Sequence, residues 1–160
     1  MDDTDSRSSS ESRSSSDPDG GAALHEPQRH LGYLIRRAQQ LHVATWSRLV
    51  STETSSVQYS VLAVLDRRGE ASQRELCDEV DLDRSTIADL VTRMERRGLI
   101  QRERDPRDVR RKTVRLTSAG TAERAGLAAR VEQVQDELTA ALSPEQSAQL
   151  RSILTRMLAD

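Results

Sequence analysis

The segment from Ser72 to Thr117 constrains the fold of this chain more than any other feature. Two short amphipathic stretches come first, and two strand-like stretches separated by a turn follow them. Ser72 can cap the first stretch, Asp83 can cap the second, and Gly98 can end it. The turn is Asp-Pro-Arg-Asp at 105–108. This order predicts two helices joined by a turn, followed by a β-hairpin wing.

Helices are also predicted on both sides of this segment. Each has apolar residues at helical spacing and begins with a residue that suits a helix N-terminus. The predicted fold is therefore mainly α with a small β-hairpin wing (α+β), in the order four helices, hairpin and two helices. The predicted starts are Pro27, Ser55 or Ser56, Thr117 or Ser118, and Ser143 with Pro144.

The chain is predicted to divide into a tail and one domain. Residues 1–23 are rich in Ser, Asp and Gly and have almost nothing apolar to bury, a composition typical of disorder. Residues 24–160 are expected to form a single domain. No apolar run reaches the roughly 18–20 residues of a membrane span. The lone Cys77 excludes an internal disulfide, which favours a reducing cytoplasm.

Positive charge is concentrated around the predicted wing. Residues 84–115 contain eleven Arg or Lys and five Asp or Glu, a local net of 11 − 5 = +6 in a chain whose formal net charge is −2. A basic face on a near-neutral protein is typical of nucleic-acid binding. A winged helix used for protein–protein contacts is an alternative, and this charge argues against it.

The fourth predicted helix, from Asp83 to Arg97, separates into two faces at about 100° per residue. Its apolar residues share one arc, and short hydroxyls, Ala and Arg occupy the opposite side. Short side chains let a helix approach base edges, and Arg can bind guanine or phosphate. An ordinary amphipathic surface helix would show the same pattern, but the basic hairpin that follows favours DNA. The residues of the polar side are Ser85, Ala88, Asp89, Thr92, Arg93 and Arg96.

The predicted wing has an alternating pattern of its own. Thr113 and Arg115 alternate with Val114 and Leu116, so one face is expected to pack and the other to be charged. An exposed Arg at the tip can enter a narrow minor groove, where the potential is most negative. A solvated hairpin whose arginines only aid solubility is the alternative. The candidate DNA contacts of the wing are Arg107, Asp108, Arg110 and Arg111.

The sequence DRSTIADLVTRMERRGLIQRERDPRDVRRKTVRLTSAG, residues 83–120, resembles the MarR family of bacterial transcriptional regulators. The most specific part is the wing, D-x-R followed by a strand that ends L-T-x-x-G. The resemblance covers about residues 28–158 and implies a winged helix-turn-helix in a homodimer that reads a pseudo-palindromic DNA operator. The matching wing residues are Asp108, Arg110, Leu116, Thr117 and Gly120.

The resemblance also assigns roles along the chain. It implies dimerisation helices at 24–54 and 117–160 and a winged helix-turn-helix DNA-binding region at 55–116. We expect an apolar stripe on the fifth helix, formed by Leu127, Val131, Val134 and Leu138, to lie in the dimer interface. Arg110 would be the minor-groove arginine. The residues expected at the major groove are Arg84, Ser85, Thr86, Asp89, Thr92 and Arg93.

The first helix carries a candidate site for a small aromatic carboxylate. Gln39, His42 and Trp46 share an arc of about 60°, and Arg36 lies about 80° from Trp46, whereas Arg37 lies about 180° away. Arg binds carboxylates bidentately, imidazole can bond a phenol or carboxylate, and indole supplies an apolar wall and one donor. The arrangement resembles the branch of the family that senses aromatic carboxylates, which predicts a repressor released by such a ligand.

Of two other interpretations, the first stays open and the second is disfavoured. In the first, Arg36, His42 and Trp46 only pack, and the regulator has no small ligand. In the second, the chain is an enzyme, which we do not expect because it has no nucleophile elbow, phosphate loop or paired-carboxylate motif. No cofactor and no metal are expected, since the three histidines lack metal-ligand spacing. Cys77 is expected to be an inert, buried thiol.

Overall fold

The computed structural model describes residues 26–104 and 112–159. Two compact units divide the chain, residues 1–35 and 36–160, and the described part of the first, 26–35, forms a turn and the opening of α1. Within the described residues the elements follow the predicted order with one added strand. They are α1 (Leu31–Leu49), α2 (Ser56–Arg68), β1 (Ala71–Ser72), α3 (Gln73–Val80), α4 (Arg84–Arg96), β2 (Ile100–Arg104), β3 (Lys112–Leu116), α5 (Ser118–Leu138) and α6 (Pro144–Leu158).

Local capping chemistry explains why these helices begin and end where they do. At the start of five helices, a side-chain oxygen accepts a backbone N–H of the first turn. Gly69 and Gly98 follow α2 and α4 with φ of +79° and +70°, a region that favours glycine. The N-cap residues are Ser55, Ser72, Asp83, Thr117 and Ser143, all of which the sequence predicts.

The start of the first helix was predicted too early. Pro27 does not open it, because α1 begins at Leu31. Residues 26–29 form a turn in which the His30 N–H donates to the Pro27 carbonyl at 3.0 Å. That bond spans three residues, whereas an α-helix needs bonds that span four. The turn therefore delays the helix by about one turn.

The wing is part of a three-stranded sheet with the order β1-β3-β2. All pairs are antiparallel, with Ala71 opposite Val114 and Arg102 also opposite Val114. The two-residue strand β1 was not predicted, because it is too short for a periodic pattern. It makes β3 the central strand and joins the wing to the start of α3.

The sheet and three helices enclose the main core. Side chains from α2, α3, α4 and β3 pack there, and all four apolar residues of the predicted α4 arc are buried. The opposite face of α4 is therefore left for solvent or a partner. Of the described residues, no helix is both long and apolar enough to cross a membrane. The four buried residues of α4 are Ile87, Leu90, Val91 and Met94.

A second core joins the end of α1 to α5. Trp46 and Val50 pack there against Leu127 and Val134, with Val131 and Leu138 at the edge. The sequence placed the α5 stripe in the dimer interface. Two of its four residues, Leu127 and Val134, are instead buried within the same chain, whereas Val131 and Leu138 are half-buried.

Candidate nucleic-acid interface and effector site

Helix α4, which we call the reading helix, begins with a cap built from Asp83 and two hydroxyls. The Asp83 carboxylate accepts the backbone N–H groups of Ser85 at 2.9 Å and Thr86 at 3.0 Å. It also accepts the Thr86 hydroxyl at 2.6 Å and the Ser85 hydroxyl. These bonds, that from the Ser85 side chain first, hold the pKa of Asp83 well below its usual range. Both hydroxyl protons are thus committed to Asp83, and only acceptor lone pairs remain for another partner.

The structure places the predicted major-groove residues on the side of the reading helix that faces away from the core. Five of them are exposed, and Thr92 is half-buried. The Thr92 hydroxyl donates to the Ala88 carbonyl at 2.8 Å and accepts from Arg102 at 3.3 Å. Its bonding capacity is therefore largely used within the protein. The five exposed residues are Arg84, Ser85, Thr86, Asp89 and Arg93.

The arginines of the reading helix and of the wing strands differ in whether they form ion pairs with Asp or Glu. Arg102 on β2 pairs with Glu95, and Arg115 on β3 pairs with Glu70 and Glu103. On the reading helix, Arg84, Arg93 and Arg96 form no ion pair with any described residue, 26–104 or 112–159. Of these described arginines, those on the reading helix are therefore the least neutralised, which suits a phosphate-rich partner.

The wing departs from the predicted alternation at one residue. Val114 is buried and Arg115 is exposed, as expected, but Thr113 is buried as well. Thr113 lies on the central strand, opposite Ser72 on one side and Glu103 on the other, so strands flank it on both sides. The predicted contacts at the tip, Arg107, Asp108, Arg110 and Arg111, lie outside the described residues.

The structure brings two of the four candidate ligand residues together. The His42 and Trp46 rings meet edge to face with centroids 6.1 Å apart. Trp46 is 6% exposed and His42 is half-buried, whereas Arg36 and Gln39 are exposed on earlier turns of α1. The helical arc thus predicted a real contact for the two rings, while the two longer polar side chains lie at the surface.

A third ring, which sequence reasoning missed, completes what we call the aromatic cluster: His42, Trp46 and Tyr59. Tyr59 comes from α2, and its ring centroid lies 5.8 Å from that of Trp46. Spacing along α1 could not reveal a residue on the next helix. The scarcity of aromatic residues was the one available signal, because the chain has two Tyr, one Trp and no Phe.

The sequence suggested that the indole N–H of Trp46 could bind a ligand, but this donor is already used within the protein. It donates to the Thr54 carbonyl at 2.7 Å in a buried hydrogen bond. Trp46 can therefore offer a ligand an apolar wall but no donor. The imidazole of His42 and the hydroxyl of Tyr59 are the polar groups of the aromatic cluster itself.

Comparison with known sequences places the chain among transcriptional regulators. A sequence model described as the MarR family matches residues 54–112. The transcriptional regulator HosA of Escherichia coli O111:H- is 32% identical over 125 residues, 78% of this chain and 91% of HosA. The repressor NicR of Pseudomonas putida is 33% identical over 99 residues, 61% of this chain, and the match spans just 63% of NicR.

Solved structures share the fold of this chain over most of its length and most of their own. PcaV of Streptomyces coelicolor, solved in complex with its natural ligand, superposes with a TM-score of 0.79 at 38% identity, covering 85% of this chain and 96% of PcaV. BpsR of Bordetella bronchiseptica, whose DNA binding is regulated by 6-hydroxynicotinic acid, gives a TM-score of 0.73 at 27% identity, covering 80% and 98%. The chain belongs to the MarR family of winged-helix, DNA-binding transcriptional regulators.

Proposed function

We propose that this protein is a homodimeric repressor that binds a pseudo-palindromic operator in the cytoplasm and is released from it by a small aromatic carboxylate. The observation that carries the proposal is the pairing of an exposed, unneutralised basic reading helix with an aromatic cluster at the junction of α1 and α2. The first can hold DNA and the second can hold a ring. The regulation of BpsR by an aromatic acid supports the same combination in this chain.

In the proposed DNA complex, neighbouring residues of the reading helix make different kinds of contact. Arg84 and Arg93 donate to guanine or phosphate, and the Ser85 and Thr86 hydroxyls accept from the amino groups of cytosine or adenine. Arg110 enters the minor groove from the wing. A regulator of this kind gains sequence specificity from the base contacts and most of its salt dependence from the phosphate contacts.

The dimer is supported by apolar surface that the single chain leaves open. Helix α6 exposes five large apolar side chains to solvent, and α1 exposes Leu41 and Val43 as well. A soluble monomer rarely presents so continuous an apolar face to water. A second copy would cover it, and two reading helices could then occupy half-sites about one helical turn apart. The exposed residues of α6 are Leu150, Ile153, Leu154, Met157 and Leu158.

The effector part of the proposal rests on the side chains in and near the aromatic cluster. Trp46 and Tyr59 provide apolar walls, His42 provides a hydrogen-bonding edge, and Arg36 and Gln39 provide exposed polar groups on the same helix. For release, the carboxylate must bind the DNA-incompetent dimer better than the competent one, because equal affinity shifts no equilibrium.

A titration with a matched control tests the effector. A duplex is first selected with the full chain from a random-sequence library, and protocatechuate, 4-hydroxybenzoate and salicylate are then added to the complex. We expect at least one acid to release the DNA. Arg36→Ala should abolish that release and keep DNA binding, whereas Arg37→Ala, on the opposite side of α1, should keep both. Release that survives Arg36→Ala would remove this residue from the site.

A regulator without a small ligand is the second candidate. The exposure of Arg36 and Gln39 favours it, because neither is held against the rings by burial. Failure of all three acids to release the DNA would support it. A salt titration separates both candidates from a winged helix that binds protein, because the affinity of a phosphate-binding protein falls steeply with salt.

A further inference from the structure

The loop between α1 and α2, residues 50–55, is tied to three helices. From α1, Trp46 donates its indole N–H to the Thr54 carbonyl. From the end of the reading helix, Arg97 donates to the Glu53 carbonyl at 2.9 Å. From α5, Arg130 donates to the Val50 carbonyl at 3.1 Å. The loop is therefore a junction between the aromatic cluster, the reading helix and α5.

Thr54 is the centre of this junction. It is 0% exposed, and its hydroxyl donates to Glu123 of α5 at 2.7 Å and accepts from Arg97 at 3.1 Å. Together with the carbonyl that receives the indole, its polar groups contact α1, α4 and α5. Since the hydroxyl has one proton, and that proton is given to Glu123, Arg97 is held by the oxygen lone pairs.

Arg97 lies at the end of the reading helix. It is the C-cap residue of α4, and its guanidinium also lies 3.7 Å from the Glu123 carboxylate. Thr54, Glu123 and Arg97 thus form a closed triangle of two hydrogen bonds and one ion pair. Thr54 is the buried corner of this triangle, and the side chains of Arg97 and Glu123 are 31% and 32% exposed.

We propose that Thr54 couples the aromatic cluster to the reading helix, by linking Trp46 to Arg97. A displacement of the indole must either break its 2.7 Å bond or move Thr54. If Thr54 moves, its hydroxyl loses the geometry to Glu123 and Arg97. The remaining hydrogen bond of the Arg97 guanidinium goes to the Glu53 carbonyl of the same loop, so the end of α4 shifts with the loop. The role of the aromatic cluster as a sensor rests on the proposed function, but the link itself rests on the geometry alone.

Two variants of Thr54 isolate the hydroxyl. Thr54→Val has nearly the same shape and keeps the backbone carbonyl, so the Trp46 bond persists while both hydroxyl bonds are lost. Thr54→Ser keeps the hydroxyl and serves as the rescue. Arg97→Lys, at a partly exposed position that folding tolerates more easily, is a second way to break the link if Thr54→Val does not fold.

Trp46 supplies the readout, because it is the only tryptophan of the chain. The full-length protein is titrated with the selected duplex while tryptophan emission is followed, and DNA binding is measured separately by anisotropy of a labelled duplex. We expect DNA to change the emission of the wild type and Thr54→Ser. In Thr54→Val and Arg97→Lys, the duplex should bind without that change. A purely structural role for Thr54 would not remove this signal from a folded, DNA-bound variant.

A titration with an aromatic acid distinguishes coupling through Thr54 from the proposed release by an effector. Protocatechuate is titrated first against free protein and then against the complex. In the wild type it should raise the DNA Kd by about 5–150-fold, the range of ordinary allosteric coupling. In Thr54→Val the acid should bind free protein as before and leave the DNA Kd nearly unchanged.

The outcomes are distinct. If no acid binds the wild type, the proposed effector fails, while the DNA-dependent Trp46 signal still decides the coupling. The coupling is overturned if wild-type emission does not respond to DNA, or if the folded Thr54→Val and Arg97→Lys variants respond as the wild type does.

Discussion

At Gly120 a neighbouring backbone, rather than the residue's own conformation, requires the absence of a side chain. A Cβ there would lie 1.9 Å from the Leu99 carbonyl oxygen, where α5 begins against the start of the wing. Because the obstacle is backbone, it cannot move aside as a flexible side chain would. Gly120→Ala should therefore destabilise the protein by about 1–3 kcal/mol or more, as overpacking does, measured by urea unfolding. This contact gives a physical reason for the glycine in the L-T-x-x-G pattern.

Gly126 is the matched control, on the same helix. A Cβ at Gly126 meets nothing within 4 Å. Gly126→Ala should be neutral or should stabilise by up to about 1 kcal/mol through helix propensity. If the two substitutions change the unfolding free energy equally, the contact with Leu99 is not the cause.

The Asp83 cap predicts a pH-dependent contribution to stability. The pKa of Asp83 is lowered in the folded protein, chiefly by the hydrogen bond from Ser85, so the ionised form is the stabilising one. This stability is fully present above the unfolded carboxyl pKa of about 4 and is lost as pH falls through the lowered pKa. Asp83→Ala should lower Tm at pH 7, by a margin that shrinks under strong acid. Asp89→Ala, exposed on the same helix, should shift Tm much less; a shift of equal size and pH dependence would contradict the cap.

At the scale of elements, the pairing of arginines predicts which strand or helix binds phosphate. Arg93 on the reading helix has no described acid partner, whereas Arg115 on β3 pairs with Glu70 and Glu103. Arg93→Ala should reduce the slope of log Kd against log salt by about one, because one phosphate contact is lost. Arg115→Ala should leave the slope nearly unchanged. Equal reductions would show that pairing in the free protein does not decide the DNA contacts.

The order of elements could be predicted because their signals are local. Ser72, Asp83 and Gly98 mark helix ends by hydrogen bonds and backbone conformations that involve only a few neighbouring residues. Two features of the sheet were not predicted. Strand β1 is two residues long, and the buried Thr113 lies on a strand that β1 and β2 flank. Neither follows from a pattern in the chain, since both depend on strands that meet in the folded state.

Of the candidate effector site, the contacts within one helix could be predicted, and the contacts between elements could not. Helical spacing put His42 and Trp46 on one side of α1, and their rings do meet. Tyr59 and Thr54 reach Trp46 from α2 and from the loop before it. Their proximity depends on how the helices pack, which spacing within one helix does not encode. The free indole donor was wrongly expected because its acceptor is a backbone carbonyl, which carries no sequence signal.

For the whole molecule, the exposed apolar surface of α6 predicts where a second copy would pack. Leu150, Ile153, Leu154 and Met157 recur at helical spacing, and each is at least 40% exposed. On α5, in contrast, Leu127 and Val134 are already buried within one chain. An interface between copies is therefore expected to centre on α6 rather than on the middle of α5.

Ile153→Glu tests this assembly, because it places a charge at the centre of the exposed stripe. We expect the wild type to be a dimer at micromolar concentration by light scattering and the variant to be a monomer, since burying an unpaired carboxylate is costly. Ser152→Glu adds the same charge one residue away, off the stripe, and should stay dimeric. The monomeric variant should also bind the selected duplex more weakly, because its two reading helices no longer engage half-sites together. A monomeric wild type, or a dimer that Ile153→Glu leaves intact, would refute the α6-centred interface.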